Sequence, residues 1–299
     1  MLISVCMCTY KRTHLEKTLI SVENLELPKN TKLEVIVVDN DIEQSAHPIV
    51  SNHARNSIYQ CHYISEPMKN ISIARNAYLQ AANGQWIASL DDDEIADSDW
   101  LSNLLKTADE FDSQVVFGVV KPIFPTEVPC WIEQGEFFVR KEHRTGTNLT
   151  SGGAGCTLAS TKVFRDHDIK FDKSYGLSGG EDAELFYRIY KLGYRLTYCR
   201  EAFVSEAIEP HRLTGSFLTK RAFRIGQTYT SYRLPKNADS WNRTKYFAIL
   251  MPKVCLTFFL TLVTLPFGKK HYFKHWLKLC DILGKTSVVF GTTTVELYN

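Results

Sequence analysis

Two short apolar runs in this chain each end abruptly in carboxylates, and that pairing restricts the fold more than any other feature. Residues 33–38 (LEVIVV) run into Asp39-Asn40-Asp41, and Trp86-Ile87-Ala88-Ser89-Leu90 runs into Asp91-Asp92-Asp93-Glu94. A further apolar run, residues 2–9 (LISVCMCT), opens the chain, and Leu15, Leu19, Val22 and Leu25 then recur at helical spacing. Strand, helix and strand in such short order predict a parallel βαβ unit. Residues 71–82 (ISIARNAYLQAA) predict a helix stopped by Asn83-Gly84, which makes 86–90 another buried strand. Open parallel sheets bind ligands at the C-terminal ends of their strands. Asp39 and Asp91 both fall at such ends.

From 115 to 160 the pattern shifts to short strands and Gly-rich turns. A helix is expected after the turn at 178–180, with Ala183, Phe186, Ile189, Tyr190 and Leu192 on its inner face.

Four adjacent carboxylates at 91–94 repel one another, so without a cation they carry raised pKa values or cost stability. Two readings fit. One is an oxygen-rich site for Mg²⁺ or Mn²⁺ that also holds a diphosphate. The other is a solvated acidic loop before a helix capped by Asp97 or Ser98. Gly179-Gly180-Glu181-Asp182 is a second acidic site. There a carboxylate at a helix N-terminus is stabilised in its ionised form by free amides and the dipole. It acts either as a cap or as a general base that takes the proton of an attacking hydroxyl, the paired glycines letting a substrate approach the backbone. Two nucleotide-binding patterns fail. Gly284-Lys285-Thr286 has Leu279 where a P-loop needs its first glycine, and Leu158 breaks a dinucleotide pattern at Gly153 and Gly155.

Charge is split along the chain. Residues 210–299 hold 14 basic and 3 acidic side chains, against 21 and 30 in residues 1–209. The C-terminal third is therefore drawn to anionic surfaces, and the remainder repels them unless a metal intervenes. Within that third, 254–267 is a 14-residue uncharged run between Lys253 and Lys269-Lys270. A span needs about 20 residues, so an in-plane or re-entrant segment is favoured over a full crossing, with a buried helix pair as the plainer alternative. Lys269, Lys270, Lys274 and Lys278 interleave with Tyr272 and Trp276, which suits an anionic membrane interface. No nucleic-acid motif is present. The eight cysteines show no paired or zinc-like spacing and read as reduced thiols in a cytosolic chain; the opening MLISVCMCTYKR lacks signal-peptide features.

Taken in order, SVCMCTYKR, VVDN at 37–40, NISIARN at 70–76, GQWIASLDDD, SGGAGC at 151–156, LSGGEDAELFYRIYKLGYR at 177–195 and VSEAIEPHRLT at 204–214 resemble a family-2 glycosyltransferase with the GT-A fold. The likeness runs from about residue 2 to 233, and Pro129-Cys130-Trp131 with GGEDAELFYR resembles the branch that builds bacterial exopolysaccharides of the succinoglycan type. The resemblance implies an α/β fold: a mixed, mainly parallel nucleotide-sugar-binding sheet flanked by helices, with a basic, apolar helical appendage. The catalytic domain is expected over 1–233, divided into a nucleotide-binding half (about 1–115) and an acceptor half (about 116–233), ahead of a membrane-associated region over 234–299.

Carried over position by position, Thr9 and Tyr10 would line the base pocket, Asp39 would bind base or ribose, and Arg75 would lie near the donor. Asp91 and Asp92 would contact the nucleotide sugar, and Asp93 would ligate the divalent cation, Mg²⁺ or Mn²⁺, that bridges the diphosphate. His211 stands where many GT-A enzymes carry a late metal ligand. Asp182 would be the catalytic base with Glu181 in support, and Trp131, Gly153 and Gly180 would face the acceptor. The implied activity is inverting transfer from a nucleoside-diphosphate sugar, UDP by family frequency, to a saccharide on a polyprenyl diphosphate. The place of action would be the cytoplasmic face of the bacterial inner membrane, with the chain peripheral or held by one C-terminal hydrophobic segment. A sugar-nucleotide nucleotidyltransferase would want a glycine-rich phosphate loop after the first strand, where this chain has Thr9-Tyr10-Lys11-Arg12. A non-catalytic membrane adaptor would not need both acidic sites.

Overall fold

The computed structural model describes residues 1–234, 238–292 and 294–296. The strand–helix–strand opening is present as β1 (Leu2–Thr9), α1 (Leu15–Glu23) and β2 (Lys32–Asp39). β1 and β2 run parallel, with Val5 opposite Val35 and Thr9 opposite Asp39. α2 (His47–Asn56), β3 (Gln60–Ser65), α3 (Ile71–Ala81) and β4 (Trp86–Ser89) follow. β3 adds parallel to β2, and β4 adds parallel to the free side of β1. The remainder of the first unit is β5 (Glu94–Ala96), α4 (Trp100–Glu110), β6 (Val115–Ile123) and, after the short α5 (Cys130–Glu133), β7 (Thr157–Ser160), α6 (Thr161–Asp166), α7 (Glu181–Lys191) and β8 (Leu196–Ala207). The eight-stranded sheet has the order β3-β2-β1-β4-β7-β6-β8-β5. β7 is antiparallel to β4 and β6, β5 is antiparallel to β8, and β6 and β8 are parallel.

Strand periodicity explains how both faces are covered. Side chains alternate across a strand, so Val35 and Val37 of β2 join one core with Leu15, Leu19, Trp100 and Leu104, while Ile36 and Val38 join the other with Ala74, Tyr78, Leu185 and Phe186. α1, α2 and α4 thus cover one face, and α3, α6 and α7 cover the other. α7 departs from the expected pattern. Phe186 and Ile189 are buried, but Tyr190 and Leu192 are exposed, and Glu181, Glu184 and Leu185 complete the inner face. Apolar counting fails here because the buried acids have partners: Arg188 donates to Glu184 at 2.6 Å and to the Lys170 carbonyl at 2.6 Å. Buried carboxylates are tolerated when paired in this way.

Residues 124–139, 177–180 and those from Ile208 onward form a second compact unit. Its frame is α8 (Gly215–Arg233), α9 (Ser240–Thr264, extended by a 3₁₀ turn over Leu265–Phe267) and α10 (Lys269–Val289). α8 and α10 touch backbone to backbone. A Cβ on Gly226 would lie 1.9 Å from the Asp281 carbonyl oxygen, and one on Gly284 would lie 2.0 Å from that of Phe223. This packing draws α8 to the C-terminal helices, so the compact units do not divide at residue 233. Ser240–Phe267 is long and apolar enough to cross a membrane. Pro252 lies inside that helix without ending it. All eight cysteines are free.

Candidate active site

Because β1 sits between β2 and β4, the C-terminal ends of all three strands lie side by side in the sheet unit. Their polar termini build the site. Asp39 is fully buried, and its carboxylate accepts from the Ala46 amide (2.8 Å), the Asp41 amide (3.1 Å) and the Tyr63 hydroxyl (2.9 Å). It thereby shapes the 41–46 loop. The neighbouring Asn40 donates to the carbonyls of Glu66 (2.7 Å) and Met68 (2.6 Å), and its Oδ1 accepts from the Asn70 amide (2.9 Å). Asn70 in turn caps α3, accepting from the Ile73 amide at 3.1 Å. The VVDN and NISIARN segments are thus one device that aims α3, and with it Arg75.

Arg75 reaches two acids at once. Its Nη1 donates to Glu181 Oε1 at 2.7 Å and its Nη2 to Asp91 Oδ1 at 3.1 Å, with the side chain only 9% exposed. The strand-end cluster and the first turn of α7, distant in sequence, therefore share a guanidinium.

The acidic turn itself is closed by its last member. Glu94 Oε2 accepts from the Asp91 amide at 3.0 Å, and the Glu94 amide donates to the Asp91 carbonyl at 3.1 Å. Gly155 makes room for this arrangement, since a Cβ there would fall 2.6 Å from Glu94 Oε1 and 2.7 Å from Asp91 Oδ2. Gly153 is looser; a Cβ would meet Asp182 Oδ2 at 3.5 Å and Arg140 Nη1 at 3.7 Å. Asp182 Oδ2 accepts from the Ala154 amide at 3.3 Å. Tyr10 is exposed, with Lys69 Nζ 5.0 Å from its ring centroid.

Burial, reinforced by the crowding of negative charge, raises the carboxyls of this site. Burial pushes the Asp92 carboxyl up to about 6, with Thr9, Arg12 and the Tyr10 backbone opposing the shift. Burial, with Asp91, Asp92 and Glu206 alongside, pushes Asp93 up to about 7, while Arg12 at 3.7 Å opposes the shift. Burial pushes Glu181 up to about 7 against the pull of Arg75. Glu94, fully buried, is raised well above the carboxylate range by desolvation and by Asp91.

The sheet unit therefore assembles Thr9, Tyr10, Asp39, Arg75, Asp91, Asp92, Asp93, Gly153, Glu181 and Asp182. Three further residues, Trp131, Gly180 and His211, belong to the helical unit. There Trp131 packs with its ring tilted against Phe273, centroids 4.7 Å apart, Gly180 (φ +92°) abuts Thr228, and His211 is 65% exposed with its ring 3.0 Å from Glu209. Sequence reasoning missed Arg140 and Glu206, joined at 3.2 Å, with Arg140 facing Glu94, Asp91 and Asp182 as well. Glu206 lies within the VSEAIEPHRLT segment and was within reach of a closer reading; nothing around Arg140 marks it.

Among the described residues no three His, Cys, Asp or Glu side chains form a ready cation cage. Mg²⁺ and Mn²⁺ sites that serve a diphosphate need only one or two carboxylates, because the phosphates and water supply the other oxygens. Asp93, raised by burial and by its anionic neighbours, is where a divalent cation would relieve the repulsion, so these residues fit one.

A match to the model of glycosyl transferase family 2 covers residues 4–168. The chain belongs to that family. A succinoglycan biosynthesis protein, ExoM, of Rhizobium meliloti is 35% identical over 233 residues, which is 76% of this chain and 74% of that one. A glucosyl-dolichyl phosphate glucuronosyltransferase of Haloferax volcanii is 24% identical over 243 residues, 76% of this chain and 75% of that one. Among solved structures, S. aureus TarS 1-349 in complex with UDP superposes with a TM-score of 0.57 at 19% identity, covering 100% of this chain and 97% of that one. GalNAc-T7 with UDP, GalNAc and Mn²⁺ gives 0.57 at 15% identity, over 80% and 52% of the two chains. The family-2 chain thus carries the GT-A-type mixed sheet and is a glycosyltransferase related to exopolysaccharide assembly.

Proposed function

We propose that this glycosyltransferase moves a sugar from a UDP-sugar, with inversion, to a hydroxyl of a lipid-linked saccharide. The setting is surface-polysaccharide assembly at the cytoplasmic face of a bacterial inner membrane. The observation that carries the reading is the pair of acidic sites in one sheet unit, at the end of β4 and the start of α7, bridged by Arg75. Family membership and the relative that builds succinoglycan support the acceptor class. The UDP complexes of structural neighbours support the nucleotide.

In this reading Thr9, Tyr10 and the Asp39-braced loop border the base and ribose, and Asp91 and Asp92 face the sugar. Asp93 would hold a divalent cation. A bound Mg²⁺ or Mn²⁺ supplies positive charge to the diphosphate as the sugar departs. The chain's own residues do the rest. Asp182 takes the proton of the acceptor hydroxyl, that oxygen bonds to the anomeric carbon, and the diphosphate leaves with the electrons of the broken bond. Attack opposite the leaving group inverts the centre, so an α-linked donor yields a β-glycoside. Gly153 leaves an open approach to Asp182. Arg75 fixes Asp91 and Glu181 against mutual repulsion, preorganising the charges around the reacting bond.

Calorimetric titration with UDP, with and without Mn²⁺, tests the donor site in wild type, Asp93→Ala and His211→Ala. Binding that requires Mn²⁺ and disappears in Asp93→Ala is expected. Silence toward UDP, dTDP and GDP alike would sink the reading. For the base, Asp182→Asn is expected to lose turnover while keeping UDP affinity; near-normal turnover would remove Asp182 from its role.

A further inference from the structure

α9 displays its chemistry inside out. On α9 the residues turned inward are Leu250, Thr257 and Thr261, and the large apolar side chains point away from the unit. Phe259 is 62% exposed and Phe267 68%, and Leu256, Phe258, Leu262 and Val263 are exposed as well. Threonines occupy the packed side, each hydroxyl returned to its own helix: Thr257 to the Lys253 carbonyl at 2.7 Å and Thr261 to that of Thr257 at 2.7 Å. A helix that must shed water buries its large apolar residues and exposes its polar ones. This helix does the reverse, as helices do when hydrocarbon surrounds them and small residues mediate their contacts. The Gly226 and Gly284 backbone contacts between α8 and α10 are of the same kind.

α10 decides how such a helix meets a bilayer. It follows the 265–267 turn directly and packs back along α9. Lys274 stands as far past that turn as Phe258 stands before it, and Lys278 is level with Val254 on the same count. Were α9 to cross the hydrocarbon, Lys274 and Lys278, both exposed, would be carried to the depth of its most apolar stretch, where ammonium groups are strongly disfavoured. Lying in the plane of one leaflet removes the conflict. The outward face of α9 then enters the acyl boundary, and Lys269, Lys274 and Lys278 stay at the headgroups. Tyr272 and Trp276 lie among these lysines, as suits an interface.

We infer that the α9–α10 hairpin is a monotopic platform that beds into a single leaflet of an anionic bilayer and does not cross it. This deepens the membrane setting proposed above, and its test needs no turnover, so it can fail while the donor site stands. Flotation with vesicles of phosphatidylcholine, alone and with phosphatidylglycerol, reads the surface. Wild type is expected to float with the anionic vesicles at least tenfold better than with neutral ones. Phe258→Ser/Phe259→Ser/Leu262→Ser, all at exposed positions, is expected to lose at least tenfold in vesicle affinity with an unchanged melting profile in solution. Lys274→Glu/Lys278→Glu is expected to lose the preference for phosphatidylglycerol. For topology, Phe267→Cys is expressed in bacterial cells and treated with a membrane-impermeant maleimide. Labelling only after detergent lysis is expected; labelling from the periplasmic side would show a crossing and overturn the inference. Failure to float, with light scattering showing a dimer that the triple serine variant dissolves, would assign the face to a second copy and overturn it as well.

Discussion

Arg75 and Glu181, 106 positions apart in the chain, meet at 2.7 Å. The same guanidinium is 3.1 Å from Asp91, so one cation holds the end of a parallel strand and the start of a helix to a common geometry. Removing one partner from a buried ion pair leaves uncompensated charge and costs about 3–5 kcal/mol. Arg75→Met is therefore expected to destabilise the sheet unit by about 3 kcal/mol, read by urea denaturation. A change below about 1 kcal/mol would mean that the two acids relax apart without it.

Gly155 and Gly153 stand two residues apart and predict opposite outcomes. A methyl at 155 would press within 2.7 Å of carboxylate oxygens of both Glu94 and Asp91, whereas one at 153 meets nothing nearer than 3.5 Å. Gly155→Ala is expected to weaken UDP binding by tenfold or more, since the acidic turn must shift to admit it, and to cost about 1–3 kcal/mol of stability. Gly153→Ala is expected to keep fold and donor affinity. Calorimetry on the two variants side by side checks the contrast; equal behaviour would dismiss the spacing argument.

The raised carboxyl of Glu181 carries a pH signature. Burial lifts it from its ordinary 4.5 to about 7, so the folded state holds this proton more tightly than the unfolded chain does. Its contribution is then most favourable below about pH 4.5 and is lost as pH rises through about 7. A shift of that size corresponds to about 3 kcal/mol. Glu181→Gln keeps the shape without the titration. The stability of wild type relative to Glu181→Gln is expected to fall between pH 5 and pH 8, and a flat difference would show that Arg75 fully compensates the charge.

Much of this was legible in the sequence, and the reasons are local. β1, α1, β2, α3 and β4 follow from runs and spacings within single segments, and Asp39 and Asp91 mark strand ends because polar residues stop buried strands. What depended on distant pairing stayed hidden. The inner face of α7 includes Glu181 and Glu184 because Arg75 and Arg188 neutralise them, and counting apolar positions cannot register a partner from another helix or loop. Arg140 gained its place only when β8 brought Glu206 beside it. The packing of Trp131 against Phe273, far along the chain, is likewise a distant pairing that no local pattern marks. α9 also runs through Pro252, although proline removes one helical hydrogen bond, because the neighbouring turns remain bonded.

The ion pair between Arg140 and Glu206 gives a further prediction about the site itself. The pair is partly exposed, with the Arg140 side chain at 46%, so its worth to stability is small. Its position is what counts, because Arg140 also faces Asp91, Glu94 and Asp182. Arg140→Gln is expected to leave the melting temperature nearly unchanged while lowering transfer at least tenfold, and Glu206→Gln to give a smaller loss in the same direction. If the two act as a unit, the double variant will lose no more than Arg140→Gln alone. Losses that multiply would show two independent roles.

The last prediction concerns the helical unit. At Gly226 and Gly284 the backbones of α8 and α10 are so close that any Cβ would strike a carbonyl oxygen at about 2 Å. No side-chain rotation can relieve such a contact; one helix must move. Overpacking of this kind costs about 1–3 kcal/mol, and here it would also disturb Gln227, which donates to Ser287 at 3.1 Å and accepts from the Val295 amide at 2.9 Å. Gly226→Ala and Gly284→Ala are each expected to open the unit to protease at α9 and α10, while UDP binding by the sheet unit persists. The double variant should cost less than the sum of the two, because a single separation of α8 from α10 accommodates both methyls. Strict additivity would mean that the two glycines are strained independently, each by a local shift of its own helix.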